Sequence, residues 1–217
     1  MSNAPVRVWD LPTRLIHWLF VIGIGFMWWT AETGRMEWHR WAGYTLLGLV
    51  LFRIYWGFFG SSTARFGQFV RGPGAILRYL RGDWPAAAGH NPLGALSVLA
   101  LLGLLLAQLT LGLFAVDVDG IESGPLSLYV SFEAGRAAAE WHELIFNVLM
   151  IVIVLHIVAV LVYLLVKKQN LMGAMISGKR TFDTPVEPAS QASWPRLIFG
   201  AVIITAFTYA VSQAFKF

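Results

Sequence analysis

The sequence predicts an all-α integral membrane protein, and three observations predict it. The 217-residue chain is 57% hydrophobic, with a mean hydropathy of +0.64. Only 13% of its residues are charged, about half the share usual in a soluble domain, so there is too little polar material to cover a water-facing surface. Five apolar blocks each come close to the roughly 20 residues a helix needs to cross a bilayer, and no strand-type alternation competes with them. The expected architecture is a four-helix transmembrane bundle with a fifth, C-terminal transmembrane helix, in one chain of single-domain length.

The first block spans residues 14–30. No small-x-small cleavage site follows Trp29, so it reads as a retained span and not as a cleaved leader. The second block covers residues 38–59. Between it and the third, Arg65, Arg71, Arg78 and Arg81 stand against a single acid, Asp83. Gly72-Pro73-Gly74 breaks this loop. The flanking pieces, with Phe66, Phe69, Ile76, Leu77, Tyr79 and Leu80, are expected to lie in the membrane interface. Asn91-Pro92 is a cap followed by proline at the first helical position, and it opens the third block, residues 92–116. The fourth block covers residues 141–166, and the fifth residues 194–215. Residues 181–193 contain Pro185 and Pro188 and read as a linker. The expected division is a core at 6–180, the linker at 181–193 and an appended helix at 194–217.

Charge then orients the spans. The net charge of +4 would suggest nucleic acid in a soluble protein. Here the charges sit between apolar blocks and act as topology signals, so no nucleic-acid partner is expected. Lys167, Lys168, Lys179 and Arg180 make the segment after the fourth block basic, like the 61–90 loop. The 117–140 loop carries Asp117, Asp119, Glu122, Glu133 and Glu140 against Arg136. The positive-inside rule puts both basic segments in the cytoplasm and the acidic loop outside. The N-terminus is then cytoplasmic, and five spans put Phe217 outside. Apolar Leu126, Leu128, Tyr129 and Phe132 would give the acidic loop a docking surface.

The chain has no cysteine, which excludes disulfides, thiolate iron–sulfur sites and the C-x-x-C-H attachment of covalent haem. Any redox cofactor needs other ligands, and five histidines are present. His17 enters the first span from the cytoplasmic side. His39 and His142 stand near the outer ends of the second and fourth spans. His156 lies fourteen residues beyond His142. At about 100° and 1.5 Å per residue, those two share one helix face and stand about 21 Å apart. One iron cannot bind both. Two irons at two depths can, with His39 completing one pair with His142 and His17 the other with His156. Leu149 falls midway on the same face.

Ionisable groups inside membrane helices are costly and usually functional. The bland reading of any single histidine is a helix cap or an interhelical hydrogen bond. Four at two matched depths point instead to two bis-histidine haems b. A zinc site would want three or four ligands converging on one point, which two separate pairs do not supply. With both axial positions filled, such haems pass electrons and do not activate substrate. Arg14, Arg40 and Arg53, with Arg136 behind them, are the cations available to haem propionates. Gly23, Gly25, Gly43 and Gly48 would allow a flat macrocycle close to the backbone, or serve ordinary small-residue packing. His90 precedes the third block in a loop and reads as an exposed histidine, not a ligand.

The motifs V-W-D-L-P-T-R-L-I-H-W (Val8 to Trp18), W-H-R-W-A-G-Y (Trp38 to Tyr44) and G-H-N-P-L-G-A (Gly89 to Ala95), with His142 and His156, resemble the prokaryotic cytochrome b561 family. That family includes the cytochrome b subunit of nickel–iron hydrogenases. The resemblance covers roughly residues 6–180. It implies a four-helix core with two haems b and electron exchange with membrane quinone. It also implies a redox partner at the periplasmic side, a c-type cytochrome or a hydrogenase-like protein, in respiratory electron transport. The fifth helix lies outside that pattern and reads as a packing element or a docking site for another subunit. The alternative within redox chemistry is a superoxide oxidase that reduces quinone. The alternative from another class is a haem-free transporter or membrane anchor subunit.

Overall fold

The computed structural model describes residues 4–85 and 87–215; Phe217, expected at the periplasmic end, lies outside them. Among the described residues, five helices are long and apolar enough to cross a membrane: α1 (Leu11–Glu32), α2 (Met36–Phe59), α5 (Pro92–Phe114), α6 (Phe132–Leu165) and α8 (Trp194–Ser212). Two short helices, α3 (Phe66–Phe69) and α4 (Pro73–Leu80), occupy the basic loop on either side of the glycine–proline break. A third, α7 (Leu171–Ser177), follows α6, and a 3-10 turn covers Ser127–Tyr129. The only sheet among the described residues pairs β1 (Val6–Arg7) antiparallel with β2 (Lys179–Arg180).

Several boundaries differ from the sequence expectation: α1 is longer at both ends than its block, α2 starts two residues earlier, and α8 ends at Ser212. The third block ends at Phe114, because Val116 forms an isolated bridge to Ser123 and begins the loop. The fourth helix starts nine residues earlier than its apolar block. Residues 132–140 carry three charges but are rich in alanine, a strong helix former, so the helix runs on past the hydrophobic stretch. His142 therefore sits three turns inside α6 and not at its start.

The chain divides into two compact units, and the long helices contribute to both. The first comprises Met1–His17, Arg53–Ala100 and Val154–Ile198. Its helix ends are capped by side chains. Asp10 accepts from Thr13 N at 2.8 Å, and its other oxygen accepts from Trp56 Nε1 at 2.7 Å, tying the start of α1 to the end of α2. Asn91 caps α5 through Gly94 N at 2.8 Å and donates to Tyr163 OH at 2.8 Å. Asn170 opens α7, and Gly178 closes it with φ of 78°, a left-handed position that favours glycine. The Gly178 carbonyl then accepts from Val8 N at 2.8 Å, which aligns β1 with β2. Val8, Trp9 and Ala174 bury themselves around this crossing. The proline-containing linker is also held: Ala189 N donates to Arg7 O at 2.9 Å and Ser190 N to Ser62 Oγ at 2.9 Å.

The second unit comprises Trp18–Phe52, Leu101–Ile153 and Phe199–Phe217. Its core includes Leu46, Val50, Leu105, Leu109 and Leu149, the last only 1% exposed. Here α1 and α2 pack closely, since a Cβ on Gly23 would meet Leu46 at 2.6 Å. Gly48 faces Thr208 of α8 at 3.4 Å in the same way. Small residues let helices approach, which suits association in lipid. In the acidic loop, Leu126 is buried and does not join the expected docking surface; Leu128, Tyr129 and Phe132 are exposed. The Leu126 backbone N bonds to Leu113 O at 2.9 Å, which draws this residue onto the end of α5. Tyr129 OH donates to Ala214 O at 2.8 Å.

Candidate functional site

The four span histidines meet in twos. In the first unit, the rings of His17 on α1 and His156 on α6 have centroids 6.5 Å apart. In the second unit, His39 on α2 and His142 on α6 are 6.3 Å apart. Two imidazoles that bind one metal from opposite sides, each at about 2 Å through a ring nitrogen, place their ring centres roughly 6 Å apart. Both pairs have that separation, which is too wide for direct hydrogen bonding between rings. Among the described residues no group of three or more His, Asp and Glu converges on one point, the arrangement a zinc site would need.

The protein holds the far nitrogens of His142, His39 and His156. His142 Nδ1 lies 2.8 Å from Gln108 O on α5. His39 Nδ1 lies 3.1 Å from Met27 O and 3.2 Å from Thr30 Oγ1, and that hydroxyl itself donates to Met27 O at 2.9 Å. His156 Nδ1 lies 3.1 Å from Ser97 Oγ on α5. A carbonyl accepts only from a protonated nitrogen, so Nδ1 of His39 and His142 carries the hydrogen and Nε2 has the free lone pair. This is the arrangement of metal-binding histidines, where a hydrogen bond from the second nitrogen fixes tautomer and ring orientation.

The glycines of α1 and α2 divide by what they meet. A Cβ on Gly25 would meet nothing within 4 Å, and one on Gly43, one turn after His39, would meet only Met27 Cε at 3.6 Å. Gly23 and Gly48 serve helix packing instead. On α5, a Cβ on Gly112 would stand 3.0 Å from His142 Cε1, so glycine there lets the imidazole lie against the helix.

The candidate propionate partners differ in what they touch. Arg53, 6% exposed, donates to Ala64 O at 3.4 Å and lies over the Phe66 ring. Arg14 donates to Ile176 O. Arg40 pairs with Glu122 of the acidic loop. Arg136 donates to Val116 O at 2.8 Å.

His90 is not the exposed loop residue the sequence suggests. Gly89, at φ of 95°, turns the chain against Thr63, and the His90 ring enters between Trp9 and Phe69 at 4.6 and 4.5 Å. Its Nδ1 is buried and has no hydrogen-bond partner among the described residues. Burial, with Arg53 and then His156 adding to it, pushes its pKa down to about 3.

Sequence reasoning missed Ser97, Gln108, Met27, Thr30 and Gly112. Ser97 had a signal, because it is one of few polar side chains in the strongly apolar α5. Gln108 and Met27 act through main-chain carbonyls, which every residue carries.

A family sequence model described as prokaryotic cytochrome b561 matches residues 8–178. Comparison with curated proteins and with solved structures gives no match.

Proposed function

The chain belongs to the prokaryotic cytochrome b561 family, membrane proteins that transfer electrons through haem b, and on that premise we propose that it holds two haems b, one between His17 and His156 and one between His39 and His142. It moves electrons across the bilayer between the quinone pool and a redox protein at the periplasmic face, a c-type cytochrome or hydrogenase-like partner. The observation that carries this reading is the pair of near-equal imidazole separations, 6.5 and 6.3 Å, close to that of two axial ligands on one iron.

When bound, each haem supplies a one-electron ferric–ferrous couple. The protein's part is to bind and orient. His39 and His142 would offer Nε2 to iron, and His17 and His156 would each offer a ring nitrogen. The Met27 and Gln108 carbonyls and the Ser97 hydroxyl keep the His39, His142 and His156 rings from turning. Held by two imidazoles, each haem would serve electron transfer and not the binding of oxygen or a substrate. The apolar spans exclude water and keep the local dielectric low. Arg53 is the buried cation suited to a propionate. Arg14 and Arg40 complete the set, Arg40 in exchange for its bond to Glu122. Residues 6–180 form the di-haem domain, 181–193 the linker, and 194–217 an additional span.

The charge pattern supports an inner-membrane orientation with the N-terminus cytoplasmic and the C-terminus periplasmic. Exposed Leu128, Tyr129 and Phe132, beside the acidic residues of the outer loop, form the surface offered to the redox partner.

A pyridine haemochrome assay on purified protein tests the reading. Two haems b per chain are expected; none would leave a haem-free transporter or anchor. His142→Ala should remove one haem and leave the other, and His156→Ala the converse. Loss of both from each single change counts against the pairing.

A further inference from the structure

Resting on the two-haem reading above, we propose that the turn at residues 61–65 seats a propionate carboxylate of the His17–His156 haem, with Ser61 and Thr63 donating to it beside Arg53. The observation behind this is a set of buried polar atoms that the fold leaves unused. Ser61 and Thr63 are 1% and 7% exposed. Their hydroxyls, and Nε of Arg65, have no hydrogen-bond partner among the described residues. Buried polar groups are normally bonded, so several orphans in one short turn point to a ligand group.

The orphans can all donate, while acceptors of the turn are already engaged. Ser61 O accepts from Ala64 N at 3.1 Å and from Arg65 N at 3.2 Å, and Arg65 O accepts from Gln68 N at 3.0 Å. Ala64 O accepts from Arg53 Nη1 at 3.4 Å, a long bond for a buried guanidinium. The acid that acts on Arg53 is Asp10, whose oxygens accept from Thr13 N and Trp56 Nε1. Two buried hydroxyls beside a buried guanidinium suit an anion, and a carboxylate accepts from both kinds of donor.

The turn belongs to the surroundings of the His17–His156 pair. A Cβ on Gly89 would stand 3.3 Å from Thr63 Cβ, so Thr63 packs against that glycine. His90 comes next in the chain, and both Arg53 and His156 act on it. The hydroxyls, the guanidinium and a ligand of the pair therefore share one neighbourhood of the first unit. A haem held by that pair carries its own carboxylates there, whereas a free phosphate or a lipid headgroup would have to shed its water to enter. Ser62 stands apart from the seat, because its Oγ already accepts from Ser190 N at 2.9 Å.

Redox titration of the purified holoprotein tests this, together with redox-induced infrared difference spectra of haem isotope-labelled at its propionate carboxyl carbons. Donors offset a carboxylate's negative charge. Losing one leaves more of that charge near the iron, which favours ferric iron and lowers the potential. Thr63→Val keeps the branched shape and removes the hydroxyl. It should retain two haems and shift a labelled carboxylate band. The midpoint of the His17–His156 haem, identified as the wave that persists in His142→Ala, should fall by up to a tenfold change in the ferric–ferrous ratio, about 59 mV for one electron. Ser61→Ala should act in the same direction, Thr63→Ser should restore both readouts, and Ser62→Ala should change neither. Midpoints and labelled bands unmoved in both Thr63→Val and Ser61→Ala would show that the hydroxyls hold water or a phosphate instead. That result, or a shift confined to the His39–His142 haem, overturns the proposal while the two-haem reading stands. Fewer than two haems in the wild-type protein overturns both.

Discussion

His39 and His142 meet with their ring planes at 73°, whereas His17 and His156 cross at 53°. The angle between axial imidazoles governs how far the two iron d orbitals directed at them split. Nearly perpendicular rings leave those orbitals close in energy, and the ferric low-spin signal then has its largest g value. Two distinct low-spin signals are expected in electron paramagnetic resonance of the oxidised protein. The one with the larger g value should vanish in His142→Ala. Finding that signal in the centre which survives the substitution would refute the geometric assignment.

Gly112 lies against the His142 imidazole. A Cβ there would stand 3.0 Å from Cε1 and 3.3 Å from Nδ1, the nitrogen that faces Gln108 O. Gly112→Ala should push the ring off its bond at an overpacking cost of about 1–3 kcal/mol. The haem-to-protein ratio should fall from two toward one, with a lower apparent Tm. Gly103, on the same helix, has nothing within 4 Å of its Cβ position. Gly103→Ala should be neutral or stabilising by about 0.5–1 kcal/mol through helix propensity. Equal behaviour of the two variants would remove Gly112 from the site.

These cases mark what could be read from residues alone. The spans were legible because lipid demands long apolar helices with their own hydrogen bonds. The match of His17 to His156 and of His39 to His142 was legible because helix rise and topology fix depth. The start of α6 was not, since hydropathy reports where lipid begins and residues 132–140 continue the helix beyond it. β1 with β2, and the Trp9–His90–Phe69 stack, join residues far apart in sequence and leave no local pattern. The Gln108 and Met27 carbonyls were invisible for a simpler reason: every residue has one, and only folding aims it.

His90 leads to a pH dependence. Its pKa is lowered to about 3 in the folded protein, first by burial and then by Arg53 and His156, against about 6.5 in the unfolded chain. The unfolded state therefore binds the extra proton between these values. Stability from this residue is fully present above about 6.5 and is lost as pH falls toward 3, by at most about 1.4 kcal/mol per unit. Apparent Tm in detergent should drop on acidification. His90→Phe, which keeps a ring between Trp9 and Phe69, should flatten that drop. An identical acid profile in the variant would show that other groups carry the effect.

Orientation can be tested directly because the chain has no cysteine of its own. A single introduced thiol is then the only target for a membrane-impermeant maleimide. Ile121 is 80% exposed in the acidic loop, and Asp83 is exposed in the basic one. Basic residues are retained in the cytoplasm during insertion, whereas Asp and Glu contribute little, so the 61–90 loop decides the outcome. In intact cells Ile121→Cys should be labelled and Asp83→Cys should not. After lysis both should react, which separates topology from burial. The reverse pattern would place the His39–His142 pair at the cytoplasmic side and move the exposed Leu128, Tyr129 and Phe132 surface away from any periplasmic partner.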